Sequence, residues 1–266
     1  MVEPKYPGAV ERYVNMGDCY NTAELRSLRQ EIMDCMRGYK GCYQRAYRCL
    51  SASSEIMEDM RATLLTQELA EKLAKRAQGI LSREIPKNKA AAPGQIKQRF
   101  LGAVTHQGVL CLYNTALAQC ETVYELADSC GLAHEMLTHL LAGAVEAGFD
   151  VVACPDPMAP NRLAHLLIPQ QKLAFLSSIS SQPLPSQPYR RIRLDTAASQ
   201  EAMGHSRPRL RFARKVSAAL VEEAVDSLEQ AKTMHDELEA LYNPHVRFDM
   251  VEQMAQAISQ EILSEQ

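Results

Sequence analysis

The 266-residue chain has a formal net charge of −3 at pH 7, with 46% hydrophobic and 23% charged residues, a composition that suits a globular protein of one large or two modest domains. So small a charge gives no general attraction to nucleic acid or to an anionic membrane, and no apolar run reaches the roughly 18 residues that a membrane span needs. The opening MVEPKYPGAV lacks the apolar stretch of a secretion signal, and eight cysteines without a CxxC pair read as free thiols in a cytoplasmic protein.

Residues 1–20 form a short N-terminal segment in which ERYVNMGD is expected to be an edge strand. Asn21 with Glu24 three residues on then reads as a helix start of capping-box type. From there Leu28, Ile32, Cys35, Tyr39, Cys42, Ala46, Cys49, Ser53, Ile56 and Met60 alternate by four and three, a coiled-coil-like seam. Cys35, Cys42 and Cys49 fall on one stripe of it, as small hydrophobes, and Gly38 and Gly41 weaken it without ending it. RGYKGCYQRAYR, residues 37–48, reads as one packed face with Arg and Lys stems reaching to water. A second helical pattern through Leu65, Leu69, Leu73, Ala77 and Ile80 stops at Pro86, so residues 21–85 form a helical arm.

Residues 86–97, beginning PKNKAAAPGQ, have the composition of a linker. Residues 98–206 change texture to short apolar runs: RFLGAVT, TVYELA, FDVVAC, AHLLIP and KLAFLSS are expected strands, and RRIRLD, ending at Asp195, a further one. A helix from about Leu132 to Ala147, closed by Gly148, lies between the second and third. Strand, helix and strand in this order imply a parallel sheet with a right-handed crossover. SSISSQPLPSQP, residues 177–188, reads as a loop.

Residues 207–266 return to helix as a second arm. Pro208 marks its start, Val216, Leu220, Ala224, Leu228, Ala231, Leu238 and Leu241 give its stripe, and Asn243-Pro244 breaks it. Asp249 with Glu252 opens a last helix carrying Val251, Met254, Ile258 and Ile262. A shift of 178 positions lays Glu58, Asp59, Met60 and Ala62 on Asp236, Glu237, Leu238 and Ala240, and Leu73, Ala77 and Ile80 on Val251, Ala255 and Ile258. Two amphipathic helices also match in part by chance; otherwise the arms descend from one duplicated unit.

The stretch YELADSCGLAHEMLTHL, from Tyr124 to Leu140, runs from strand into helix where nucleotide-binding proteins keep a phosphate loop. The GxxxxGK[ST] frame falls on Asp128–Glu135: Asp128 and Ala133 stand at its glycines, His134 at its lysine and Glu135 at its hydroxyl residue. Ser129, Cys130, Gly131 and Leu132 fill the loop, and Gly131 alone supplies conformational freedom. Two roles are open for the turn: a helix start capped by Asp128 or Ser129, which the carboxylates favour, or a weak anion site on the helix N-terminus.

The ordered set YPGAVERYVNMGD, RAYRCL, FLGAVT, EAGFDVVACPDPMAPNRLAHLLIP, and MHDELEALYNP followed by FDMVEQM resembles the C-terminal part of a bacterial family of tandem P-loop ATPases of poorly characterised function. The resemblance implies an α/β fold with a mainly parallel P-loop-NTPase-like sheet and long helical arms before and after it. It also implies a second phosphate loop at Asp128–Glu135, degenerate here, and a first one that would precede Met1.

The expected function is therefore a non-hydrolysing, P-loop-like scaffold or regulatory subunit, without cofactor or catalytic residue, that binds a protein partner or itself through its helical arms. The alternative is a divergent ATPase that holds ATP and magnesium at Asp128–Glu135. A third reading places nucleic acid on Arg207, Arg209, Arg211, Arg214 and Lys215; acidic residues following at once favour ion pairs there instead. Cys130 with His134, and Cys154 with His165, could in principle hold zinc, but their spacing fits no familiar pattern. Asp195 could imitate the carboxylate that serves magnesium in P-loop proteins.

Overall fold

The computed structural model describes residues 6, 8–9, 11–86, 92–196 and 200–264, with the backbone alone given at 200–206. In chain order the elements are α1 (Thr22–Ser27), α2 (Arg29–Leu64), α3 (Gln67–Glu84), β1 (Ile96–Gln98), β2 (Gly102–Thr105), β3 (Gly108–Cys111), α4 (Tyr113–Leu117), β4 (Thr122–Ala127), α5 (Ala133–Glu146), β5 (Val151–Asp156), β6 (Ala159–Ile168), β7 (Leu173–Ser178), β8 (Arg190–Arg193), α6 (Gln200–Tyr242) and α7 (Phe248–Ser264). No helix among the described residues is long and apolar enough to cross a membrane. The chain divides into two compact units, residues 44–229 and residues 1–43 with 230–266.

The larger unit is built on a six-stranded sheet in the order β1-β5-β6-β7-β4-β8. Within it β4 runs parallel to β7 and β8, and β1 to β5, while β6 is antiparallel to both its neighbours. The fold is thus α/β with a mostly parallel sheet and long helices before and after it. The segment joining β4 to β5 contains α5, which ends where Gly148 adopts φ 85°, the left-handed exit that glycine takes without strain.

Alternation along β4 sends Tyr124 and Leu126 to one face of the sheet and Val123 to the other. The first face is covered by α5 and α3. Thr66 caps α3 by accepting from Leu69 N at 3.2 Å, and its stripe Leu69, Leu73, Ala77 and Ile80 is buried in the same core as Met136, Leu137 and Leu140 of α5. On the second face α4 brings Tyr113 and Ala116 into a smaller core with Cys154, Leu167 and Leu176. Alongside α2, Ser53 Oγ and Ser217 Oγ of α6 meet at 2.8 Å and Arg209 reaches Asp59 at 2.6 Å, so here the two helices run antiparallel.

In the smaller unit the seam residues Ile32 and Cys42 are buried, and the Cys35 thiol donates to Met234 O at 3.0 Å. The segment before α1 clasps the elbow between α6 and α7: Asn21 N donates to His245 O and Arg247 N to Cys19 O, both at 2.8 Å, and the Tyr20 ring meets the Tyr242 ring edge to face. The sequence offset of 178 lays the end of α2, Leu64, on the end of α6, Tyr242.

Several expected boundaries move. ERYVNMGD holds no strand among its described residues. Asn15 instead accepts from Gly17 N and starts a 3₁₀ turn at Met16–Cys19, and Tyr13 is exposed with no apolar face to bury. The linker expected over 86–97 ends early: residues 87–91 lie outside the described ones, and β1 already pairs with β5 at Ile96–Gln98, an exposed strand with no apolar alternation to announce it. Of RFLGAVT only Gly102–Thr105 is strand, and it forms a separate hairpin with β3. The second arm begins at Gln200, not 207. Pro208 lies inside α6, where buried Leu210 and Ala213 hold the helix through a position that removes one backbone bond.

Candidate functional site

The turn between β4 and α5 lies at the carboxyl ends of three parallel strands, β4, β7 and β8, the position where open α/β sheets bind ligands. Gly131 there adopts φ 73°. Helix α5 starts at Ala133, so Cys130 stands in the turn rather than on the helix face with His134.

The amides of this turn are occupied by the chain's own carboxylates. Asp128 Oδ1 accepts from Cys130 N at 3.0 Å and Asp128 Oδ2 from Ala133 N at 2.6 Å. Asp195, which follows β8, accepts from Ser129 N at 3.0 Å and from Ser129 Oγ at 2.7 Å. Asp128 is 7% exposed; burial pushes its carboxyl up, while the amides of Leu132, Ala133 and Cys130 pull it down. Both carboxylates stand where a phosphate loop presents its N–H groups to ligand oxygens.

Three arginines from three elements close over the same turn. Arg61 of α2 lies across Gly131, where an added Cβ would stand 2.7 Å from its Cδ. Arg162 of β6 donates to Gly131 O at 3.0 Å, and Arg214 of α6 donates to Ser129 Oγ at 2.6 Å and to Cys130 Sγ at 3.2 Å. Two of these charges are answered: Arg61 binds Glu58, and Arg162 lies 3.7 Å from both Glu58 and Glu135. The hydrogen bond from Arg61 holds the Glu58 carboxyl below its usual range. The adjoining hollow of about 250 Å³ is lined by Asp128, Gly131, His134, Arg61 and Arg162 among others, below the roughly 300–1,000 Å³ of ordinary small-molecule sites.

His134 is held within the fold and does not reach into the turn as a phosphate-binding lysine would. Its Nδ1 accepts from Leu163 N at 3.0 Å, so its ring is held by β6, and burial followed by the nearby Arg162 charge lowers its pKa. Glu135 faces Arg162. Leu132 and Ala133 are buried. Burial, then the Asp195 carboxylate, raises the Cys130 thiol to about 12, which leaves it protonated and a poor metal ligand or nucleophile.

The second cysteine–histidine pair is brought together as a structural contact. Cys154 and His165 are register partners on β5 and β6. His165 Nδ1 accepts from Ser177 N at 3.1 Å, which leaves the ring proton on Nε2, 3.6 Å from Cys111 Sγ. Burial takes the His165 pKa down to about 4. Cys111 is the third cysteine or histidine there, but these three do not gather within 4.8 Å of one another; among the described residues the group of three or more metal-ligating side chains that does is His235, Asp236 and Glu239 on the surface of α6, where Lys232 and His235 already pair with the two carboxylates. All eight cysteines are free.

The basic stretch Arg207–Lys215 does not form one open cationic face, since Arg209 turns to Asp59 and Arg214 to the turn. The sequence reading missed Arg61 and Arg162. Arg61 follows Met60, the last residue of the seam, the one local signal that it lies near the core.

Comparisons of the chain with protein-family models, curated proteins and solved structures return no match. The resemblance to tandem P-loop ATPases therefore rests on the sequence stretches that carry it.

Proposed function

We propose that this chain is a degenerate, non-hydrolysing P-loop-like protein that acts in the cytoplasm as a scaffold or regulatory subunit. The observation that supports this most is the occupation of the turn. Asp128 and Asp195 take the N–H groups of Ser129, Cys130 and Ala133, and Arg61 covers Gly131. A triphosphate would have to displace two carboxylates from amides they already satisfy, without a lysine to meet its terminal phosphates.

A second observation supports the interaction role. The stripe that α3 buries through Leu73, Ala77 and Ile80 has its counterpart, 178 positions on, in Val251, Ala255 and Ile258 of α7, where Ala255 is exposed and the other two are half-buried. In α3 the cover is helix α5, so we propose that α7 receives a helix of the same kind, apolar and small-residued, from another polypeptide.

Titration with ATP and magnesium, together with a turnover assay, tests the first part. The expected outcome is no hydrolysis, and no nucleotide binding that responds to Gly131→Val or Arg214→Ala. Micromolar binding abolished by these substitutions in chains that keep their circular dichroism would overturn the reading. Light scattering tests association: mass above the monomer that falls with Ile258→Glu supports the α7 face, and a monomer at every concentration removes self-association.

A further inference from the structure

We infer that the edge of the main sheet carries a second, independent site, a groove between α3 and β8 that binds a small molecule bearing a chain of phosphate groups. On α3, positions 79 and 80 lie three and four residues after 76, and 83 lies three and four after them, so the four share one helix face. On β8, the edge strand beside β4, Arg190 and Ile192 share a strand face. The two elements enclose about 450 Å³ lined by Arg76, Gly79, Ile80, Arg83, Arg190, Arg191 and Ile192, a size within the range of ordinary small-molecule sites.

The chemistry of that lining selects an anion. Three guanidinium groups, those of Arg76, Arg83 and Arg190, face the groove, while Arg191 of the opposite strand face borders it. Arg191 is answered by Glu125, at 3.3 Å, and Arg83 reaches the Tyr124 hydroxyl that also binds Glu84, but Arg76 and Arg190 have no ion-pair partner among the described residues. Guanidinium groups gathered this way repel one another until a polyanion joins them, and each offers the planar fork that matches phosphate oxygens. Ile80 and Ile192, both buried, make a dry floor that strengthens such contacts.

Charged side chains on an edge strand also prevent sheets from joining, which accounts for arginines on β8. It does not account for Arg76 and Arg83 on the facing helix, nor for the hollow between them. Gly79 borders that hollow, and a Cβ built there meets nothing within 4 Å. Glycine in an exposed helix interior costs about 1 kcal/mol against alanine, and here it puts no side chain into the groove.

The test uses calorimetry on the whole chain with two probes, inorganic tripolyphosphate and ATP without magnesium, at about 50 mM salt where screening is weak. Tripolyphosphate is expected to bind at one site per chain. Gly79→Leu, whose Cβ meets no neighbour within 4 Å, and the pair Arg76→Ala with Arg190→Ala should each weaken it about tenfold or more, with helix content unchanged. Arg214→Ala, at the β4–α5 turn, should leave this binding as it was, which separates the groove from the turn. ATP binding tighter than tripolyphosphate supports the groove as a nucleotide site, and weaker binding supports a free phosphate chain as its ligand. No heat with tripolyphosphate, or binding unmoved by Gly79→Leu and by the arginine pair, would overturn the proposal.

Discussion

The carboxylate of Asp195 holds Ser129 twice, accepting from its backbone N–H at 3.0 Å and from its hydroxyl at 2.7 Å. Sixty-six residues separate the two in sequence, so the bond ties the chain leaving β8 to the chain leaving β4. Arg214 donates to the same hydroxyl from α6, and Ser129 thus joins three elements. Replacing Asp195 by Ala leaves a partly buried N–H without its acceptor and is expected to cost about 1–3 kcal/mol. Asp195→Asn keeps one acceptor oxygen and should cost less. Urea unfolding of the three proteins checks the order; equal stability of Asp195→Ala and the parent would mean the bond is not formed in solution.

Asp128 gives a sharper test of what the turn has become. Its side chain caps α5 through Ala133 N and closes the turn through Cys130 N. Asp128→Ala should lower stability by about 1–2 kcal/mol, the usual loss on removing a helix cap. It should also free amides at a helix N-terminus, the arrangement that attracts anions. Sulfate at millimolar concentration is then expected to raise the melting temperature of the variant more than that of the parent, since a ligand that binds only the folded state stabilises it. An equal response of the two proteins would show that the carboxylate is not standing in an anion site.

How much of this was legible in the sequence depends on the range of the interaction. The helical arms were legible because a seam of three- and four-residue steps needs only neighbours along one helix, and Ile32, Cys42, Ala46, Ser53 and Met60 are indeed buried. The carboxylates of the turn were visible at Asp128 and Glu135, and burial makes Asp128 a cap. The arginines over the turn were not legible: Arg162 meets Gly131 across 31 residues, and nothing near Arg61 or Arg162 in sequence marks them as neighbours. β1 was missed because its residues are exposed and carry no alternation, and the start of α6 was misplaced because Pro208, a usual helix-starter, is carried inside by buried Leu210 and Ala213.

His165 predicts how stability depends on pH. Burial lowers its folded pKa to about 4, whereas an unfolded histidine titrates near about 6.5. Between these values the unfolded chain binds the proton and the folded chain does not, so stability is full above about pH 6.5 and falls as the pH drops towards 4. His134, lowered by burial as well, adds a slope of the same sign. A shift of this size corresponds to about 3 kcal/mol at most, and its upper half, from about pH 6.5 to 5.5, lies above the range in which carboxylates titrate. Nuclear magnetic resonance of the His165 ring should show no titration until the pH nears 4; a midpoint near 6.5 would remove the prediction.

Ser227 offers the opposite kind of change, one that should strengthen the protein. It sits in α6 fully buried, and its hydroxyl has no hydrogen-bond partner among the described residues. A buried hydroxyl that forms no bond gives up its contacts with water and gains nothing in return, a loss of roughly 1–3 kcal/mol in protein mutational data. Alanine removes the oxygen, leaves the helix its best former and opens a space of only one atom. Ser227→Ala is therefore expected to raise stability by about 1 kcal/mol, read as a higher urea midpoint at unchanged slope. Ser227→Val, which adds a second methyl group to a fully enclosed position, should instead destabilise by overpacking. If Ser227→Ala lowered the midpoint, the hydroxyl would have to be bonded in solution, and α6 would be packed differently at this point from the arrangement described.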